Sequence, residues 1–278
     1  TDLIAKFNGD TSSRGDWEQT YKEGLDNLGL EIEDRTTPWA GACGVFHPML
    51  SEAVVRFQSQ TIQEIMPAKG PVKTQVWGLS TKELESQSKR VQDYMNYQLL
   101  EVMTEYRSET EKLLFSLPLA GSAFRKIYFD PSLNRPTSMF VPAEDFVVSY
   151  NESDLDQAER YTHVMNRSTN QIKKLQVSGF YRDVELSSSF VEDNPITDKY
   201  REIGGVKPSY DKDDRHQLLE MHVDIDLPGF EDSDGIALPY VITIDKGSST
   251  ILSIYRNWSE ADNSREKKQH FVHYGYVP

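Results

Sequence analysis

The sequence predicts an α+β fold, with long helices in the N-terminal half and a mostly antiparallel β-sheet in the C-terminal half. Three observations predict it. Apolar residues recur at helical spacing as far as Leu117 and switch to alternation after Gly121. Aromatic residues make up 11% of the 278 residues, side-chain bulk for a packed core that disordered chains lack. The single cysteine, Cys43, excludes an internal disulfide framework or a cysteine-rich zinc module as the source of stability.

The first helix is expected from Ser13, in a capping box with Asp16, to a C-cap at Gly29. Glu31 to Gly44 (EIEDRTTPWAGACG) is rich in helix breakers and reads as an irregular arm. A second helix is expected from Pro48 to Met66, closed by Pro67 and Gly70-Pro71. Val72 to Trp77 reads as a short strand. Ser80 and Glu83 form a capping box ahead of a helix whose apolar positions, among them Leu84, Val91, Tyr94, Met95 and Leu117, keep phase for about 35 residues, or about 50 Å. It reads as a core helix or as a strut in a larger assembly.

After Gly121, Ala123 to Phe129 and Ser138 to Val141 form a hairpin around Asp130 to Asn134. Tyr161 to Met165 is a further strand, and Ser168 with Gln171 caps a short helix ending at Gly179. Residues 183–214 are polar, with Pro195, Gly204, Gly205 and Pro208, and read as a long mobile excursion. Leu219 to Leu227 alternates, apolar at Leu219, Met221, Val223, Ile225 and Leu227, polar at Glu220, His222, Asp224 and Asp226. Tyr240 to Asp245 and Ile251 to Arg256 pair through the turn Lys246 to Ser249. The expected division is an N-terminal helix and arm at 1–45, a helical part at 46–120 and a β-rich part at 121–278.

Lys and Arg number 30 and Asp and Glu 44, a formal charge of −14. That argues against a protein held on DNA or an anionic membrane by bulk attraction. No apolar stretch reaches the roughly 20 residues a bilayer span needs, and no secretory signal is visible, so the chain reads as cytosolic. The phosphate-binding glycine loops, the nucleophile elbow and the zincin motif are absent. Glu231 to Gly235 is acidic but lacks EF-hand spacing. His222, Asp224 and Asp226 share one strand face at intervals of about 7 Å, a spacing able to present ligands to a divalent ion. The solvated face of an amphipathic strand is the favoured reading of the same three residues. Cys43 is expected as a buried, inert thiol. Arg265, Lys267 and Lys268, and Lys173 with Lys174, are interrupted by acids and read as solvated charge. No catalytic residue, metal or cofactor is assigned, and a structural or interaction module is favoured over an enzyme. The alternatives are an adaptor binding proteins through an exposed sheet edge and a metal-dependent enzyme built on His222, Asp224 and Asp226.

Several strings, in order, carry a family likeness. They are Glu33 to Gly41 (EDRTTPWAG), Val45 to Pro48 (VFHP), Gln63 to Pro67 (QEIMP), Gly70 to Lys73 (GPVK), Arg125 to Pro131 (RKIYFDP) and Phe140 to Phe146 (FVPAEDF). Arg160 to His163 (RYTH), His216 to Glu220 (HQLLE), Ile236 to Val241 (IALPYV), Arg256 to Trp258 (RNW) and Gln269 to Tyr274 (QHFVHY) continue the series. Together they resemble the portal proteins, or head-to-tail connectors, of short-tailed bacteriophages. The resemblance implies a structural subunit of a ring of about twelve copies at one capsid vertex of the virion, assembled in the host cytoplasm. Double-stranded DNA passes its channel during packaging and ejection without sequence-specific binding. The implied partners are other copies of the chain, the terminase packaging motor, tail adaptors, and capsid or scaffolding proteins, with no membrane. Portal subunits are usually longer, so the chain resembles the N-terminal portion, chiefly the outer wing, without the stem and clip. Arg35, Trp39 and Phe46, in and beside the breaker-rich arm, are the expected subunit-interface residues; Trp39 in a core is the competing expectation. No channel residue is assigned.

Overall fold

A computed structural model of the chain describes residues 2–28, 36–44, 47–130, 133–149, 152, 154–187, 191–192, 194–203, 214–233, 235–259, 261–262 and 264–276. The helices in chain order are α1 (Asp2–Ser13), α2 (Gly15–Asp26), α3 (Met49–Ile65), α4 (Lys82–Tyr97), α5 (Tyr106–Ala120), α6 (Thr169–Val177) and α7 (Pro195–Ile203). The strands are β1 (Ser122–Asp130), β2 (Arg135–Pro142), β3 (Phe146–Val148), β4 (Arg160–Ser168), β5 (Arg215–Ile225), β6 (Leu238–Asp245), β7 (Thr250–Arg256) and β8 (Phe271–Gly275). The fold is α+β, with two antiparallel sheets and most helices in the N-terminal half. Two compact units divide it, unit 1 from Thr1–Glu31 and Ala143–Gln269, unit 2 from Ile32–Pro142 and His270–Pro278. Both are discontinuous in sequence.

Unit 1 is built on a five-stranded sheet in the order β3-β4-β5-β6-β7. On one face, Leu219, Met221 and Val223 of β5 join Tyr240, Ile242 and Ile244 of β6, Val147 of β3 and Phe7 of α1. Burying each such side chain contributes about 1.5–3 kcal/mol, which makes this face the main source of stability in unit 1. The other face packs Leu218 and Leu252 against Ile172 of α6 and Tyr181. Residues of β5 on both faces are therefore buried. α1 is tied to β4 by a bidentate pair, Arg160 Nε and Nη2 donating to the Asp10 carboxylate at 2.7 Å each.

Two sequence expectations change in this unit. Ser13 does not cap α2; it ends a helix of its own, its hydroxyl donating to the Asp10 carbonyl at 2.6 Å. Leu3, Ile4 and Phe7 must reach the sheet together, and only a helix over 2–13 puts them on one side. The expected C-cap Gly29 lies outside the described residues, and α2 closes at Asn27. The polar 183–214 stretch contains α7, opened by Asn194 Oδ1 accepting from the Ile196 amide at 3.0 Å with Pro195 in the first turn. α7 buries Ile196 and joins α2 through Tyr21–Tyr200 hydroxyls 2.6 Å apart and a Lys199–Asp26 pair at 2.7 Å. Residues 188–190, 193 and 204–213 of that stretch lie outside the described set.

Unit 2 has a three-stranded sheet, β2-β1-β8, in which Phe124 pairs with both Val141 and His273. Leu113, Leu114 and Leu117 of α5 pack with Ala123, Phe57 and Phe140. β2 is an edge strand, and its Phe140 amide donates to Glu109 of α5 at 2.8 Å, satisfying a donor that an edge leaves open. The 35-residue helix expected here is two helices. α4 passes into a π-helical turn, Gln98–Val102, breaks at Met103 (φ −90°, ψ 72°) and restarts as α5. The break buries Met103 and frees α5 to take its own direction onto β1 and β2. The cap of α4 is Thr81, one residue after the expected Ser80. The expected strand Val72 to Trp77 joins neither sheet.

Candidate interaction surface

Of the three expected interface residues, Arg35 and Phe46 lie outside the described residues. Trp39 belongs to a short turn, its carbonyl accepting from the Ala42 amide at 3.1 Å, and its side chain is 67% exposed. Within the described residues it therefore serves no core. Cys43, expected buried, is exposed as well. Gly41 in the same turn adopts φ +82°, a conformation that favours glycine.

The larger surface is built by residues 67–97. The 70–77 segment is extended, yet its backbone bonds to side chains of α4 instead of to a strand. Asn96 accepts from the Val72 amide at 2.9 Å and donates to the Val72 carbonyl at 3.1 Å, as a neighbouring strand would. Gln92 Oε1 accepts from the Thr74 amide at 3.3 Å, and the Thr74 hydroxyl donates to the Ser88 carbonyl at 2.9 Å. Gly70 makes the approach possible: it has φ +93°, and a Cβ there would overlap the Asn96 carboxamide. Ser88, Gln92 and Asn96 stand four residues apart on one face of α4. The stripe that holds the helix to its own unit is therefore polar, and Val91, Tyr94, Met95 and Tyr97 are exposed. This inverts the usual amphipathic arrangement. On the preceding turn Trp77 is 89% and Leu79 91% exposed. An open polar cleft of about 360 Å³ lies between the segment and α4, lined by Thr74, Ser80, Glu85, Ser88 and Lys89 among others. Sequence periodicity counted the apolar residues of α4 as core; the Ser88-Gln92-Asn96 repeat was the available sign that the other face is the inner one.

In unit 1, His222, Asp224 and Asp226 do not converge. His222 is buried, stacked on Tyr161 at 4.7 Å and within 3.1 Å of the Glu220 carboxylate. Asp224 lies near the strand end, where burial pushes its carboxyl up and Lys267 counters. Asp226 lies past the end of β5 and is exposed. Asp224 and Asp226 are thus exposed, as expected of a solvated face, and His222 alone of the three is covered. Among the described residues no group of three His, Cys, Asp or Glu is placed to hold a metal ion. Two of the basic residues read as solvated charge are also engaged. Lys267 Nζ donates to the Ala158 carbonyl at 2.6 Å, and Arg265 pairs with Asp232.

A second polar feature, unread in the sequence, sits in the FVPAEDF string at the corner leading into β3. Arg14, between α1 and α2, donates to the carbonyls of Ala143 at 3.2 Å, Glu144 at 2.7 Å and Phe146 at 3.2 Å. Burial pushes the Glu144 carboxyl up to about 7 and that of Asp145 up to about 6, with the Arg14 charge opposing both. Arg14 spends its donors on backbone carbonyls and on Glu18, at 2.8 Å.

No helix among the described residues is long and apolar enough to cross a membrane. No protein-family model matches the chain, and no curated protein matches it either.

Proposed function

We propose that the chain is a structural subunit of a bacteriophage portal ring, part of the capsid-vertex conduit through which double-stranded DNA is packaged and ejected. The subunit does no bond chemistry itself; it holds the ring and offers a platform to the packaging motor and tail adaptors. The observation that carries the reading is the ordered series of portal-like strings across nearly the whole chain. Supporting it, unit 2 leaves Trp39, Trp77, Leu79 and the apolar side of α4 exposed. A ring needs two different contact faces per subunit, and large aromatic side chains are the usual anchors of such faces.

Light scattering on the purified chain, with negative-stain images of the same sample, tests this. A mass of about twelve copies with a central hole is the expected result. Trp39→Ala is then expected to weaken ring formation while circular dichroism stays unchanged. A strict monomer at high concentration overturns ring formation by this chain and favours the protein-binding adaptor.

A further inference from the structure

The acidic excess of the sequence is held by one unit. Unit 2 contains 12 Lys and Arg and 12 Asp and Glu, leaving 18 basic and 32 acidic residues, the entire −14, in unit 1. Within unit 2, residues 67–97 carry Lys69, Lys73, Lys82, Lys89 and Arg90 against Glu83, Glu85 and Asp93. This stretch is a cationic, aromatic-bearing surface within a unit that is neutral overall. Unit 1, anionic overall, has a basic run of its own at Arg160, Arg167, Lys173, Lys174 and Arg182, of which Arg160 is paired with Asp10 and Lys173 with Asp183. α4 makes its main packing contacts, among the described residues, with the π-helical turn and the 70–77 segment.

We propose that the 67–97 surface docks on unit 1 of a second copy of this chain. Charge selects that occupant. Contact between the unit 1 surfaces of two copies opposes two fields of the same sign, whereas the cationic surface is drawn to unit 1 of its neighbour. An anionic membrane attracts the same lysines, but it repels the far larger charge of unit 1. On unit 1 the loop 226–236 has the matching character. It carries Asp226, Glu231 and Asp232, the last paired with Arg265, it has no basic residue, and Phe230 and Ile236 are exposed. Trp77, Leu79 and Tyr94 supply apolar anchors on the other side. The two faces differ, so the contact is head-to-tail and either closes or grows. The proposal deepens the ring reading and rests on it for closure alone.

The test uses the full chain and two surface variants, Lys73→Glu/Lys82→Glu/Lys89→Glu and Asp226→Lys/Glu231→Lys, each checked for unchanged circular dichroism. All five positions are exposed. In sedimentation at about 20 mM NaCl the unmodified chain is expected as a multi-copy species that dissociates toward monomer near 500 mM NaCl. Each variant alone is expected to associate at least roughly tenfold more weakly. An equimolar mixture of the two is expected to recover association, because reversed surface meets reversed loop; lost packing alone cannot produce that recovery. A ring unaffected by the lysine variant overturns the docking surface and leaves the portal reading standing. Salt-sensitive pairs or open chains without a hole, abolished by that variant, support the surface and overturn the ring. A monomer at low salt overturns the proposal, as does a chain that binds phosphatidylserine vesicles while staying monomeric.

Discussion

At the scale of single residues, two positions hold more than their type suggests. Gly70 and Asn96 form one unit of structure: the glycine clears the space, and the carboxamide uses it to hold Val72 at both its amide and its carbonyl. Gly70→Ala imposes a Cβ at φ +93° and displaces Asn96, so it forfeits backbone comfort and two hydrogen bonds. The expected cost is about 2–3 kcal/mol of local stability, seen as faster proteolysis within residues 67–81. Unchanged cleavage would mean the segment is held by something else. Glu144 is the second position. Its carboxyl is raised from an ordinary 4.5 to about 7, chiefly by burial, and among the described residues its Oε2 has no hydrogen-bond partner. The folded chain therefore binds this proton more tightly than the unfolded chain. Its contribution is full below about 4.5 and is lost as pH rises to about 7. Glu144→Gln removes the titration. Urea unfolding is expected to show equal stabilities near pH 4 and, at pH 8, a variant more stable by up to the order of 3 kcal/mol. A difference independent of pH would assign Glu144 a purely steric role.

At the scale of elements, the sequence was legible where an element's evidence is local. The α6 capping box of Ser168 and Gln171 forms as read, and the β1–β2 and β6–β7 hairpins stand within a few residues of their expected limits. Adjacent strands joined by short turns need no distant information. The π-helical turn and the break at Met103 were illegible, because the apolar positions on both sides keep one helical phase. The inner face of α4 was misread for a related reason: periodicity locates a stripe but cannot say whether an apolar or a polar stripe faces the chain. In unit 1 the same blindness hid His222, whose polar face is covered by Tyr161 and not by water. Of the expected interface, Trp39 was legible as a surface residue only through family likeness, since a tryptophan in a turn has no local preference for burial.

The pairing of β8 with β1 joins residues about 150 positions apart and left no trace in local pattern. It also yields an element-scale expectation. A chain ended at Gln269 loses the ladder from Ser122–Gly275 to Lys126–Phe271, the Phe124–His273 stack at 4.9 Å and the Phe57–Tyr276 contact at 5.6 Å. β1 then becomes an open edge available to other chains. Amide exchange of peptides within 106–130 is expected to quicken by roughly tenfold or more, while peptides within 215–245 keep their protection. Equal loss in both sets would show that the two units unfold as one.

At the scale of the whole molecule, the uneven charge makes stability itself uneven. Unit 1 folds with 32 acidic against 18 basic residues, so its compact state works against its own field, whereas unit 2 is balanced at 12 against 12. Local pairs such as Arg160 with Asp10 offset part of that repulsion but leave the net excess in place. Raising salt from about 0.01 M to about 0.1 M shortens the screening length from about 30 Å to about 10 Å, below the span of a unit this size. Repulsion across unit 1 then fades, while its short-range pairs and apolar contacts persist. Amide exchange of peptides within 215–245 is therefore expected to slow several-fold over this range, and exchange within 106–130 to stay constant. The Asp226→Lys/Glu231→Lys variant, which associates more weakly and leaves unit 2 balanced at 12 against 12, separates the effect from association. Slowing by the same factor in both units would mean that salt acts through general hydration, and that the charge of unit 1 carries no local cost.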